Sequence, residues 1–187
     1  MKQQLNIKEI KMINTTKQEQ LNQDLYWLTS ALSKSKSDLR PHIVNTYVRG
    51  NKMLATDGQR LHEITIDREV YINVKDGFYS VIKRTKTNMI LAYNVEHNAD
   101  ERDYPDCKSL LERPDGKSFV VMQHENNSSQ AMANIIRAMD DGSINYNHLN
   151  DVLSDENAWD ATIKDHEHRL HFENGNKKAI VMPVRIK

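Results

Sequence analysis

The hydrophobic pattern of the chain begins with a long amphipathic helix. Apolar residues recur at intervals of three and four, the period of a helix that buries one face: Leu21, Leu25, Leu28 and Leu32. This pattern predicts a helix over about residues 17–35. Pro41 follows and is expected to stop it, because proline removes a backbone donor and clashes with the preceding turn.

Alternating apolar and polar residues then predict strands joined by tight turns. Three dipeptides favour such turns: Gly50-Asn51, Asp57-Gly58 and Asp76-Gly77. The last of these is expected to close a hairpin over residues 70–83. The strands predicted in this half cover residues 42–48, 52–56, 61–66, 70–83 and 88–95.

The second half repeats the order of strand, helix and strands, after an irregular crossover expected over residues 96–117. Residues 128–141 predict a helix with a buried stripe of Met132, Ile135, Ile136 and Met139. A short helix over 147–153 and four strands complete this half, at 118–123, 159–164, 169–172 and 178–185, with Asn174-Gly175 closing the last hairpin. The expected fold class is α+β, with antiparallel sheets and one long helix in each half.

Charge and composition narrow the function classes. The chain has 26 basic and 26 acidic residues, so zero net charge argues against a protein that coats nucleic acid by bulk attraction. Three basic residues near the end of the first helix could still contact phosphates: Lys34, Lys36 and Arg40. A single cysteine, Cys107, favours a reducing cytoplasm. No stretch approaches the ~20 apolar residues of a membrane span.

Two clusters of side chains could carry metal or acid–base chemistry, but neither is typical of an active site. His166, His168 and His171 lie close together, yet a zinc site needs further ligands that the sequence does not supply. Four carboxylates lie in the polar crossover and are expected to be solvated: Asp100, Glu101, Asp103 and Asp106. There is no Gly-rich phosphate loop. We therefore expect a protein that is not an enzyme and holds no metal or cofactor.

Four segments resemble the bacterial DNA polymerase III beta sliding clamp, and they occur in that family's order. Residues 53–64, MLATDGQRLHEI, resemble ATDGHRLA of the clamp's middle lobe. Residues 104–111, YPDCKSLL, resemble FPDYRRVLP, and residues 144–153, INYNHLNDVL, resemble FNVSYVLDVL. Residues 179–187, AIVMPVRIK, resemble the clamp's terminal VVMPMRL. The resemblance implies a DNA-clamp-like fold of two βαβββ-type units.

In that family the matching segments meet at the groove that receives a short linear peptide of clamp partners. The resemblance implies that a peptide pocket is formed here by Thr56, Gly58, Gln59, Arg60, Leu61, Pro105, Leu110, Asn145, His148, Val181, Met182, Pro183, Val184 and Arg185. An apolar slot for Leu/Phe anchors is expected from Leu61, Leu110, Val181, Met182 and Val184. Arg60 and Asn145 are expected to hold the peptide's Gln and main chain.

The resemblance implies that residues 1–112 form a unit like the middle lobe and residues 113–187 a unit like the end of the C-terminal lobe, although both could form one compact domain. The family's first lobe has no counterpart. Two functions stay open. One is a reduced sliding clamp of DNA replication, from a phage or another mobile element. It binds the peptides of a polymerase, clamp loader or repair protein and encircles double-stranded DNA as a homo-oligomer. The other is a non-encircling module that recruits or sequesters those partners.

Overall fold

The structure is a computed structural model and describes residues 15–35, 40–67, 74–99, 104–122, 128–139, 142–154, 158–165 and 167–184. The helices are α1 (Thr15–Leu28), α2 (Pro41–Val44), α3 (Val95–Ala99), α4 (Lys108–Leu111), α5 (Ser128–Ala138) and α6 (Tyr146–Val152). The strands are β1 (Thr46–Arg49), β2 (Lys52–Thr56), β3 (Arg60–Thr65), β4 (Gly77–Thr85), β5 (Asn88–Tyr93), β6 (Lys117–Met122), β7 (Ser143–Ile144), β8 (Ala158–Ile163), β9 (Leu170–Asn174), β10 (Lys177–Val181) and β11 (Pro183–Val184).

Most of these strands form one antiparallel sheet, in the order β5-β4-β1-β2-β3-β10-β9-β8-β6. Strands from the first half of the chain meet strands from the second half where β3 pairs with β10, in a register that runs from Arg60 opposite Val181 to Ile64 opposite Lys177. The predicted α+β class is confirmed. The unit boundary near residue 112 stays a prediction; it lies between α4 and β6.

The two faces of the sheet are covered differently. Helices α1, α5 and α6 pack on one face and enclose the main core. Its largest fully buried side chains are Trp27, Leu28, Met53, Ile64, Ile135, Met139, Trp159, Ile163, Leu170 and Phe172. On the other face a smaller core lies beneath residues 104–113, a segment that we call the strap.

The first helix ends earlier than its apolar pattern predicts. The chain leaves the α-helix after Leu28 and makes a 3-10 turn over Thr29–Ala31. There the hydroxyls of Thr29 and Ser30 donate to the carbonyls of Tyr26 and Trp27, at 3.2 and 2.6 Å. Such local side-chain bonds compete with helix continuation. Leu32 is still buried, but from extended backbone.

Two predicted strands are also corrected. Residues 41–44 form α2, because Pro41 is well suited to the first turn of a helix, and a strand begins only at Thr46. Asp76-Gly77 does not close a hairpin in the described residues: the Asp76 carboxylate accepts the Gly50 backbone N–H at 3.1 Å, and β4 begins at Gly77. The predicted positions 70–73 lie outside the described residues.

Other local signals are confirmed. Gly50 and Gly175 have φ values of 57° and 54° at their hairpin turns, the left-handed backbone that glycine allows. The second long helix and the short helix α6 lie where they were predicted. Within α5, Ile135 is buried, whereas Ile136 is exposed although it was predicted to be in the buried stripe. Across the described ranges, no helix is both long and apolar enough to cross a membrane.

Candidate functional site

The predicted peptide pocket begins at the turn between β2 and β3. The Asp57 carboxylate accepts the backbone N–H groups of Gln59 and Arg60, at 2.9 and 3.0 Å. Thr56 closes the turn, since its hydroxyl accepts from Gly58 N at 3.0 Å and donates to the Arg60 carbonyl at 2.5 Å. Gly58 has a φ of 89°, which explains the need for glycine there.

The structure brings two more predicted segments to this turn. The backbone N–H of Met182 donates to the Gln59 carbonyl at 2.9 Å. Strand β11, which directly follows Met182, pairs with β7, and β7 leads into Asn145. The Asn145 side chain caps α6 by accepting from Asn147 N at 3.0 Å. Turn, C-terminal strand and short helix therefore form one connected surface.

The Arg60 side chain is buried and hydrogen-bonded within the protein, so it is not exposed to a ligand. Its side chain is only 4% exposed. The guanidinium donates to Asp57 through Nε at 3.1 Å, to Asp151 of α6 through Nη1, and to the Ser30 carbonyl through Nη2 at 2.6 Å. These partners lie on three different elements. Arg60 thus joins the turn to α6 and to the end of α1, and its predicted contact with a peptide Gln would have to compete with them.

A polar cleft of about 290 Å³ opens beside Arg60. It is lined by Leu32, Ser33, Lys34, Asp57, Gln59, Arg60, Asn145, Asn147, His148 and Asp151. Its fixed charges are mixed, so it does not select strongly for an anion or a cation. His148 lies with Nε2 3.8 Å from Asp57 Oδ2. Burial and then the charge of Arg60 lower the pKa of His148, against the raising effect of Asp57 and Asp151.

The apolar part of the site lies on the strap side of the sheet. Here Leu61 and Ile180 pack with Leu54, Phe78 and Tyr104. Val181 was predicted to line the slot, but it is fully buried in the main core on the opposite face. Side chains alternate along a strand, so Ile180 is the residue of β10 that faces the same side as Leu61. That alternation could have identified Ile180 from the sequence.

Several predicted pocket residues are accessible. Leu110, Met182 and Val184 are among the exposed large apolar side chains, and Pro105 is exposed on the strap. Arg185 lies outside the described residues. Met182 and Val184 lie on the C-terminal segment that bonds Gln59, a residue of the polar cleft, whereas Leu110 and Pro105 lie on the strap.

Aromatic stacking holds the first part of the strap against the sheet. Tyr104 stacks on Tyr47 with ring centroids 4.8 Å apart and packs beside Phe78. Burial, followed by the charges of Asp106 and Glu63, raises the pKa of Cys107 to about 11, so this thiol is neutral near pH 7.

The second part of the strap is fastened by two side chains, Arg169 directly before β9 and His171 within β9. The guanidinium of Arg169 donates to the carbonyls of Ser109, Leu110 and Glu112, at 2.8, 2.9 and 3.4 Å. The Nε2 of His171 lies 3.0 Å from the Leu111 carbonyl. These carbonyls belong to the C-terminal end of α4, where a helix leaves its acceptors unsatisfied. A helix of four residues has little stability by itself, so these contacts hold Leu110 in place.

The predicted DNA-contact residues are placed differently from expectation. Lys34 is exposed but lies outside any helix, two residues after the extended Leu32 that ends the 3-10 turn, so it is not at the end of a helix as the dipole argument assumed. It lines the polar cleft. Arg40 is exposed in front of α2, and Lys36 lies outside the described residues.

The histidine and carboxylate clusters do not assemble a metal site in the described part of the chain, where no group of three potential ligands occurs. His168 Nδ1 pairs with Asp165 at 2.6 Å, and His171 is buried under the strap. Asp106 accepts from Lys108 N at 3.0 Å at the start of α4. His166, Asp100, Glu101 and Asp103 lie outside the described residues.

Solved structures with the same fold are bacterial DNA polymerase sliding clamps. The Pseudomonas aeruginosa DNA polymerase III beta subunit aligns with a TM-score of 0.53 at 15% identity, over 90% of this chain and 65% of its own. The Bacillus subtilis sliding clamp gives 0.56 at 13%, over 100% and 67%. A beta subunit from Eubacterium rectale gives 0.60 at 10%, over 90% and 64%. No protein-family model and no curated protein sequence matches the chain.

The protein therefore has the sliding-clamp fold, as the sequence segments predicted. The chain spans about 65% of the length of the Pseudomonas clamp that it matches. What it shares with these clamps at 10–16% identity is the fold.

Replacing Arg169 by Gln is expected to loosen the strap without unfolding the protein. A hydrogen bond to a charged group contributes about 1.5–3 kcal/mol, so amide exchange over residues 109–112 should speed up about tenfold or more. Arg84→Gln is the matched control, because the Arg84 guanidinium on β4 also donates to a carbonyl and a hydroxyl, those of Tyr26 and Thr29, and not to the strap. Hydrogen–deuterium exchange with mass spectrometry measures this, and unchanged exchange at 109–112 in Arg169→Gln would contradict the fastening role.

His171 is expected to make the protein less stable in acid. Burial lowers the pKa of His171, and its Nδ1 has no hydrogen-bond partner in the described structure. Because the folded pKa lies below the unfolded value of about 6.5, unfolding takes up a proton. Stability should therefore be complete above that pH and fall as the pH drops below it. Urea titrations at a series of pH values from neutral to acid measure the free energy of unfolding. His171→Gln should reduce the loss of this free energy with falling pH, whereas His168→Gln should not. If the loss is the same in the two variants, the assignment to His171 is wrong.

Proposed function

We propose that this chain is a reduced, sliding-clamp-like protein of DNA replication, whose site at the Gln59–Met182 junction binds the clamp-binding peptide of a polymerase, clamp loader or repair protein. The single observation that carries the proposal is that hydrogen bonding joins the turn 57–60, the strand after Met182 and the start of α6 on a sliding-clamp fold. These are three of the four segments that resemble the family's peptide groove.

The chemistry of the site suits a short peptide with apolar anchors and a polar residue. Met182 is exposed, and its backbone bonds Gln59 of the turn that leads into Leu61. Its flexible thioether can adapt to anchors of different shape. The cleft beside Gln59 and Asn145 offers amide groups that can donate or accept hydrogen bonds. A role of this kind requires no catalytic residue and no cofactor, and it implies a cytoplasmic protein.

Met182→Ala is expected to weaken peptide binding about tenfold, since truncating a central apolar contact costs about 1–2 kcal/mol. The measurement is fluorescence anisotropy with a labelled peptide that carries one Gln and Leu/Phe anchors. Ile82→Ala is the matched control, because Ile82 is also an exposed apolar residue but lies on β4. Leu61→Ala is a less suitable test of peptide binding, because the cavity that it leaves in the smaller core lowers the free energy of unfolding by about 2–5 kcal/mol.

No saturable binding by the wild-type protein would contradict the proposal outright. Binding that Met182→Ala and Ile82→Ala weaken equally would place the peptide elsewhere.

Encirclement of double-stranded DNA by a homo-oligomer is a second candidate, supported by the exposed cations Lys34 and Arg40. One observation favours the non-encircling module instead: α1 contains a single basic residue, Lys17 near its start, and none in its last turn. A helix that lines a DNA channel needs cations for phosphate contact.

A ring that holds DNA topologically should stay on closed circular DNA through a high-salt wash and be lost when the circle is cut. We expect the module to show no such difference between circular and linear DNA. Salt-resistant retention on circles alone, measured by gel filtration of labelled protein, would establish encirclement.

A further inference from the structure

The apolar half of the proposed peptide site is covered in this structure. Leu61 and Ile180 are an opposed pair of β3 and β10, and the residues two positions further along, Gln59 and Met182, are joined by a hydrogen bond. Leu61 is nevertheless only 4% exposed and Ile180 only 2%, because both belong to the smaller core beneath the strap. A Leu or Phe anchor of a peptide reaches this pair only if the strap moves.

The strap buries little apolar surface of its own. None of the four residues of α4 is buried, and Leu110 is 40% exposed. Leu111 is only partly buried against the smaller core. A segment with few buried apolar contacts opens locally at a low free-energy cost. The position of the strap therefore depends on the stacking of Tyr104 and on the contacts that Arg169 and His171 make with its carbonyls.

Two buried polar atoms beneath the strap have no hydrogen-bond partner within the described residues. One is the hydroxyl of Tyr104, a side chain that is 6% exposed and stacked on Tyr47. The other is Nδ1 of the fully buried His171, whose Nε2 faces the Leu111 carbonyl. A buried polar group without a partner is costly, and opening of the strap allows water to solvate both atoms. The closed strap thus carries a cost that the open strap does not.

We propose that the strap is an autoinhibitory cover: it opens about its Arg113 end, and a Leu or Phe anchor of the partner peptide then replaces Tyr104 and Leu111 on the smaller core. Arg113 is the fixed end, because its guanidinium donates to the hydroxyls of Thr162 and Ser118 at 2.8 and 3.0 Å. The inference rests on the proposed peptide function. The apparent affinity for the peptide is then the affinity of the open form reduced by the fraction of molecules that are open.

Removing the Tyr104 hydroxyl is expected to hold the strap closed. Tyr104→Phe keeps the stacked ring but no longer buries a polar atom without a partner, so amide exchange over residues 104–112 should slow about fivefold or more. Tyr79→Phe is the matched control: Tyr79 is also 6% exposed, but its hydroxyl donates to the Lys75 carbonyl at 2.9 Å and accepts from Lys75 N at 3.0 Å. This control should not slow exchange of the strap. Unchanged or faster exchange in Tyr104→Phe overturns the proposal.

The single cysteine gives an independent measure of opening. Burial in the closed strap raises the pKa of the Cys107 thiol to about 11, and opening hydrates this thiol and lowers its pKa, which makes it more reactive. Labelling by the disulfide reagent DTNB should therefore slow in Tyr104→Phe and accelerate in Arg169→Gln, by the factors found for amide exchange. A labelling rate that is the same in both variants and in the wild type overturns the proposal.

Peptide affinity tests the link between the strap and the site. In fluorescence anisotropy with the peptide that carries one Gln and Leu/Phe anchors, Tyr104→Phe should weaken binding about fivefold and Arg169→Gln should tighten it about tenfold, the factors by which they change strap exchange. Tyr79→Phe should leave the affinity unchanged. Met182→Ala should weaken binding without changing strap exchange, because it removes a contact and not the cover. Circular dichroism verifies that each variant is folded.

The outcomes separate the cover from the peptide site. Saturable binding whose affinity neither Tyr104→Phe nor Arg169→Gln changes overturns the cover and leaves the proposed function standing. No binding by any variant, including Arg169→Gln with its loosened strap, contradicts the proposed function and the cover with it.

Discussion

The pairing of β3 with β10 is the constraint on which the rest of the structure depends. It is the contact at which strands of the first and second halves become neighbours, over five residue pairs from Arg60–Val181 to Ile64–Lys177. Because the turn 57–60 directly precedes β3 and Met182 directly follows β10, this antiparallel pairing brings the two segments together. The Gln59–Met182 hydrogen bond extends the same ladder by one step. A shift of register by one residue would separate the two segments of the site and turn the side chains of the shifted strand to the opposite face of the sheet.

Buried charges hold the helices against this central pair. Lys177 of β10 lies 3.0 Å from the Asp24 carboxylate of α1 and 5.4 Å from the Trp27 ring centroid. Arg60 of β3 makes the corresponding links to α6 and to the end of α1. Removing one member of a buried ion pair leaves the other charge uncompensated, so these contacts constrain the geometry more than exposed pairs could. The residues that line the polar cleft are therefore held rigidly. The strap, on the other face of the sheet, is a short segment held by a few hydrogen bonds.

Sequence reasoning was accurate where the determinants are local. The hairpins at Gly50 and Gly175 need left-handed backbone, and the position of α5 needs only helical period, so neighbouring residues specify them. The predicted stripe of α5 was wrong at Ile136, which is exposed. Sequence reasoning failed where partners that are distant in the sequence determine the contacts of a residue. Asp76 resembles a hairpin residue but bonds Gly50, 26 positions away, and Arg60 resembles a ligand-binding residue but is satisfied by Ser30 and Asp151. The segment resemblance implied that the turn and the C-terminal strand are neighbours, as the Gln59–Met182 hydrogen bond shows. It placed Val181 in the apolar slot, whereas strand parity puts this residue on the opposite face.

The most direct test of the account is to map where a peptide with one Gln and Leu/Phe anchors contacts the protein. Two-dimensional amide NMR during a titration would report each backbone position separately. If the site is correctly assigned, the largest shifts should fall on Gln59, Met182, Val184 and the strap around Leu110, with small shifts at β6 and β5. Shifts concentrated away from the Gln59–Met182 junction would contradict the assignment, even if the peptide binds tightly.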